Sequence, residues 1–182
     1  MICYNFVLIL RGFGMQNIDK KEIDDLLTII PRGYPALDIF HLTDNCAGLC
    51  QGLYDLIQAE GYGYDLHISD EKYYEHISKD TDFKTYKFDF KKHRYNRHAR
   101  QYDYVFIMIA LEEIENSDLF YKKLYAISKN AGKVFFIVEK HVDLRKLEDT
   151  LIVHNYVATN PIENTFEDYQ ILSAQKMHGW DN

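Results

Sequence analysis

The stretch that most constrains this chain runs from Tyr34 to Glu60, YPALDIFHLTDNCAGLCQGLYDLIQAE. A mostly apolar run, Ala36 to Leu42, breaks at Thr43-Asp44-Asn45 and gives way to a helical pattern. Strand, turn and helix in that order form the opening unit of a parallel α/β sheet. A ligand would sit at such a turn, because the helix N-terminus presents unpaired N–H groups there. This turn contains no glycine to let a ligand approach the backbone.

The flanking sequence repeats the pattern. Asn17 to Ile30 carries Ile23, Leu26, Leu27 and Ile30 on one stripe, with Asp19 as N-cap and Glu22 three residues on. Strand one is expected at 36–42. A helix over about 46–59 follows, closed by Gly61, with Gly48 and Gly52 one turn apart to let it lie close to a sheet. A second strand is expected over 62–68, a short helix over 70–78, and an alternating third strand from Lys84 to Phe90. Tyr102 to Leu111, the most apolar run, is expected as the central fourth strand. Ser117 or Asp118 would cap the next helix, and Asn130-Ala131-Gly132 would turn into strand five at 133–139. A helix at 143–152 and strands near 153–159 and 168–177 complete the chain, with Pro161 in the loop between them. Alternation predicts parallel strands with right-handed crossovers, and the closing hairpin reverses the last one.

The expected fold class is therefore α/β: a three-layer sandwich around a seven-stranded, mostly parallel sheet with an antiparallel last strand. The 182 residues suit one domain. Residues 1–14 are expected as an N-terminal extension and 15–182 as the domain. The net charge of −7 disfavours general nucleic-acid affinity but allows a local basic patch. Three Cys without repeated spacing make no disulfide framework, which suits a reducing, cytoplasmic setting. The apolar run Phe6 to Leu10 is too short to span a bilayer, so no membrane association is expected. Cys46 and Cys50, near His41 and Asp44, lack the spacing of a zinc site and are expected as small core residues rather than metal ligands.

Several local patterns resemble the class I methyltransferases that use S-adenosylmethionine. Ala36-Leu37-Asp38-Ile39 is similar to that family's first strand, Phe88-Asp89-Phe90 to the acidic end of its third, and Tyr102-Asp103-Tyr104 to the start of its fourth. Lys129-Asn130-Ala131-Gly132-Lys133-Val134 resembles the turn into its fifth strand. The resemblance covers residues 18–178 and implies strand order three-two-one-four-five-seven-six and S-adenosylmethionine as cofactor. It implies cofactor contacts from Asp38, Asp89, the backbone from Asp44 to Gly48, and His67 or Asp70. In this register the three glycines of the family's loop are replaced by Phe40, Leu42 and Asp44, a degenerate motif.

Two functions stay open. One is methyl transfer to a small molecule or other nucleophile, and the other is a catalytically silent relative that binds partners through its surface. For the second, Lys91 to Arg100 (KKHRYNRHAR) is basic without any acid. Lys91, Lys92, Arg94, Arg97 and Arg100 could meet phosphate or an acidic partner, with Tyr95 stacking on a base. The ordinary alternative is a solvated loop. Glu112, Glu113 and Glu115 follow strand four, where carboxylates could accept a proton or simply complement a helix dipole. His178 and Trp180 would be an exposed end, or an anchor in a homodimer. The first function requires an open pocket above Asp38 and Asp89, and the second expects Phe40 and Leu42 to close it.

Overall fold

The computed structural model describes residues 18–80, 84–96, 100–163 and 166–177. The N-terminal extension, Arg97, His178 and Trp180 lie outside these residues. The elements run α1 (Lys20–Leu27), β1 (Asp38–Thr43), α2 (Ala47–Glu60), β2 (Gly63–Ile68), α3 (Glu71–Asp80), β3 (Thr85–Lys87) and β4 (Tyr102–Met108). After a 3-10 turn (Leu111–Glu113) come α4 (Ser117–Ile127), β5 (Ser128–Glu139), α5 (Leu144–Val153), β6 (Tyr156–Ile162) and β7 (Tyr169–Lys176). The seven strands form one sheet in the order β3-β2-β1-β4-β5-β7-β6. Strands β1 to β5 pair in parallel, and β7 runs antiparallel to both β5 and β6. This is the architecture expected from the sequence.

Alternation along the central strands divides the core. On one face Ile39, Tyr104, Phe106 and Phe135 meet Ile23, Leu26, Leu49 and Leu53 of α1 and α2. Leu66 and Ile68 meet Tyr73 and Ile77 of α3. On the other face Phe40, Val105, Ile107 and Phe136 meet Phe120 and Leu124 of α4 and Leu147 and Leu151 of α5. Phe88 and Tyr95 also belong to that layer. The chain between β3 and β4 thus covers the sheet with aromatic rings, without a helix among its described residues.

Several local expectations change. Gly48 and Gly52 make room for α1 rather than for the sheet: a Cβ on Gly52 would lie 2.6 Å from Ile23 Cγ2, and one on Gly48 2.8 Å from Ile23 Cδ1. Asp19 makes no side-chain cap to α1, and Asn116 rather than Ser117 or Asp118 caps α4, its Oδ1 accepting from Leu119 N. Strand β5 starts five residues early, at Ser128. The Asn130-Ala131-Gly132 turn is an irregularity inside it, with Ala131 at φ 62° and the register with β4 shifting between Tyr102 and Tyr104. A Cβ on Gly132 would lie 2.8 Å from Lys129 O and 3.0 Å from Tyr102 O, which explains the glycine. Pro161 falls within β6, paired with Leu172; β6 is an edge strand, where a missing N–H is tolerated.

Candidate functional site

The two edges of the parallel sheet carry different chemistry. At the edge where strands begin, Asp38 pairs with Gly63, and Asp38 N donates to Asp103 Oδ2 at 2.8 Å. Lys129 Nζ lies 2.7 Å from Asp103 Oδ2 and 3.6 Å from Asp38 Oδ2. Arg100 reaches Asp38 at 3.6 Å and Asp65 at 3.7 Å, while the buried hydroxyl of Tyr102 donates to Asp65 Oδ2 at 2.5 Å. This charged network ties the starts of β1, β2 and β4 to the start of β5. Asp38 and Arg100 therefore lie in an internal clamp.

The opposite edge holds a cleft of about 540 Å³. It opens where the order reverses between β1 and β4, the topological switch point at the carboxyl ends of strands where α/β sheets bind ligands. Each side chain arrives from a different strand end. Asp44 and Asn45 come from the turn after β1, Ser69 and Asp70 from the turn after β2, Phe90 from beyond β3, and Glu113 from the 3-10 turn after β4. The turns are braced. Thr43 Oγ1 accepts Cys46 N at 3.2 Å, Asp70 Oδ1 caps α3 through Tyr73 N at 2.7 Å, and Asp44 Oδ2 accepts Ala110 N at 3.1 Å.

Its electrostatics favour a cation. Burial raises the Asp44 carboxyl above its ordinary value, and the charges of Glu113 and Asp70 push the same way, against the lowering effect of its backbone hydrogen bonds. Asn45 Oδ1 is buried without a hydrogen-bond partner. Phe90, Ile109 and Ile114 give the cleft an apolar side, while Lys72 and His76 stand on the α3 wall. A buried lysine fixes the aromatic part. Lys123 Nζ donates to Phe90 O at 3.0 Å and lies 4.9 Å from the Tyr95 ring centroid.

The residues singled out in the sequence separate accordingly. Asp44 and Asp70 meet at the cleft; Asp38 does not, since it sits at the far end of its strand. Phe40 and Leu42 are interior strand residues with no exposed surface, so they neither form the turn nor close the cleft. The turn begins two residues after Leu42, at Asp44–Cys46. His67 lies within β2, buried on the face that carries Phe40 and Phe88 and stacked on Phe40 at 4.7 Å. Gly48 faces α1. Asp89 is exposed and accepts Lys91 N, one residue from the Phe90 wall. Lys91, Lys92 and Arg94 are exposed, whereas Tyr95 is 4 % exposed, packed on Phe88 and Phe120, and unavailable for stacking on a base. Cys46 and Cys50 are buried free thiols, and burial raises both above the usual thiol range. Among the described residues no three His, Cys, Asp or Glu side chains converge as metal ligands. No described helix is long and apolar enough to cross a membrane. Ser69 and Phe90 were not legible as site residues; their shared signal is position just beyond the carboxyl end of a parallel strand.

The chain has the class I methyltransferase fold, which it shares with solved methyltransferase structures. A methyltransferase from Pyrococcus furiosus superposes with a TM-score of 0.64 at 13% identity, over 97% of this chain and 96% of that one. A SAM-dependent methyltransferase from Archaeoglobus fulgidus has a TM-score of 0.64 at 12% identity, over 87% and 95%. The CMeT domain of the citrinin polyketide synthase has a TM-score of 0.66 at 9% identity, over 86% of this chain; this chain spans 51% of that one, about half its length. No family model matches the sequence, and no curated protein sequence matches it. Likeness at these identities is likeness of fold.

Proposed function

We propose that the cleft binds S-adenosylmethionine and that the protein is a methyltransferase acting on a small molecule or other nucleophile. The observation that carries this reading is the acidic switch-point cleft, where Asp44, Asp70 and Glu113 surround a space with one apolar side. Such a lining suits a ligand that combines a cationic centre with a flat base. The residues present fit the cofactor in charge and in polarity. Asp44 and Glu113 would face its cationic part, Asp70 and Ser69 its hydroxyls, and Phe90, Ile109 and Ile114 its base. The partnerless Asn45 Oδ1 would take one of its N–H groups. When bound, S-adenosylmethionine supplies a methyl group activated on a sulfonium. The chain's own contribution is to orient the acceptor in line and to exclude water.

Calorimetric titration with S-adenosylhomocysteine tests this reading. Micromolar binding that weakens about tenfold or more in Asp70→Asn, the loss of one charge-assisted hydrogen bond, supports it. No heat and no rise in Tm at millimolar ligand refutes it, because a ligand specific for the folded state must stabilise it.

A second reading, a silent methyltransferase-fold protein that binds an acidic partner or nucleic acid, is favoured by one observation. Lys91, Lys92 and Arg94 are exposed, and none has an ion pair among the described residues. Binding to single-stranded nucleic acid that weakens steeply with salt, and weakens again when these three become Gln, would support it. Binding unaffected by the substitutions would dismiss it.

A further inference from the structure

The wall of the switch-point cleft built by the turns after β1 and β4 is rich in acceptors. Asp44 and Glu113 both line it, and Asn45, beside them, keeps its Oδ1 buried without a hydrogen-bond partner. The groups that favour the ionised form of Asp44 are backbone amides, its own and that of Ala110, while the charges that act on it, those of Glu113 and Asp70, oppose it. The basic side chains of the lining, Lys72 and His76, belong to α3, the helix that Asp70 caps.

The start of α2 does not offset this wall. A helix N-terminus holds an anion through its unpaired N–H groups. Here Thr43 Oγ1 accepts Cys46 N at 3.2 Å, and the Gly48 and Leu49 amides act on the Cys46 sulfur. Among the described residues none of α2 lines the cleft. A carboxylate brought to this wall would meet Asp44 and Glu113 and gain no amide of α2. Like charges oppose binding, and more strongly beside a partly buried group than in open water. An ammonium would meet two carboxylates instead, and it has an N–H to spare for Asn45 Oδ1.

We infer that the cleft selects a sulfonium nucleoside whose aliphatic arm ends in an ammonium and carries no carboxylate, in preference to the amino-acid form of the same ligand. This inference rests on the cofactor reading above, which sets the base against Phe90 and the arm toward Asp44 and Glu113. The activated methyl group sits on sulfur in both ligands, so the arm alone is what this wall distinguishes. Glu113 is the residue that sets the preference, since Asp44 is already engaged with Ala110.

The test is calorimetric titration of the intact protein with S-adenosylhomocysteine, with its decarboxylated counterpart S-adenosylthiopropylamine, and with methylthioadenosine, which lacks the charged arm. The decarboxylated amine is expected to bind about tenfold more tightly than S-adenosylhomocysteine. Glu113→Gln should narrow that ratio by weakening the amine, and Lys72→Gln should leave it unchanged. Equal or tighter binding of S-adenosylhomocysteine overturns the inference while the cofactor reading stands. Methylthioadenosine binding as tightly as the amine overturns it too, because the arm would then go unread. A loss of S-adenosylhomocysteine affinity in Lys72→Gln, with the amine unaffected, would place a carboxylate on the α3 wall and overturn it as well. Binding of the amine with none of S-adenosylhomocysteine at millimolar concentration supports the inference and removes the amino-acid form as the ligand. If no nucleoside binds, both readings fall. Glu113 and Lys72 are exposed, and unchanged Tm values in the two variants would confirm that folding is not the cause.

Discussion

Asp44 Oδ2 accepts the backbone amide of Ala110 at 3.1 Å, and the Asp44 amide donates to Met108 O. One residue therefore ties the turn after β1 to the end of β4, across the opening where the sheet reverses. It also places a carboxylate, disfavoured by burial and by Glu113 and Asp70, on the cleft wall.

Asp44→Ala is expected to cost about 1 kcal/mol of stability through the lost acceptor, and Asp44→Asn much less, because an amide oxygen still accepts. The pH dependence follows from the raised carboxyl. The folded state holds this proton more tightly than the unfolded chain does. The native protein therefore loses stability relative to Asp44→Asn as pH rises from 3.8 through the raised folded value. Urea midpoints for both variants across that window check the sign; a difference that runs the other way contradicts the assignment.

His41 is fully buried beneath α2, its Nδ1 2.9 Å from the Tyr64 hydroxyl. Burial, aided by the positive charge that His67 would add, pushes it down to about 3 from 6.5. Between those values the unfolded state binds the proton and the folded state does not. Stability should therefore fall on acidification through that window, with a limiting slope of about 1.4 kcal/mol per pH unit from this group. His41→Gln should flatten the acid limb of a urea-midpoint profile; an unchanged limb would show that other groups govern it.

Gly52 lies under Ile23, and an added Cβ would come within 2.6 Å of Ile23 Cγ2. Overpacking costs about 1–3 kcal/mol, more than the roughly 1 kcal/mol of helix propensity that Ala adds over Gly. Gly52→Ala should therefore lower Tm, and combining it with Ile23→Ala should cost less than the two single changes added together. Strict additivity in a double-mutant cycle would mean that α1 does not sit in the glycine groove.

Lys123 is 8 % exposed, and its ammonium holds the Phe90 carbonyl and the Tyr95 face. Lys123→Met keeps the volume and removes the donor, so about 1–3 kcal/mol should be lost. Hydrogen exchange of residues 88–95 should accelerate more than that of β4. Uniform acceleration throughout the sheet would assign Lys123 a general role instead of a local one.

The order of elements and the reversed last strand were legible in the sequence. Hydrophobic period and turn residues act locally, so Ile23, Leu26 and Leu27 declare α1, and Gly61, in the left-handed region at φ 71°, declares the end of α2. The site was legible only in part. Asp44 and Asp70 stood out as acids beside turns, but Asp38 had equal standing until the strand's direction and register put it at the other edge. Phe40 and Leu42 look like occupants of a loop until their burial inside β1 is known. Tyr95 reads as a free aromatic in a basic run, and it is packed on Phe88 and Phe120. The sequence by itself determined which segments become strands and helices, because those preferences depend on near neighbours. Tertiary structure decided which residues share an edge, because that depends on strand direction, register and crossovers that join segments far apart in the chain.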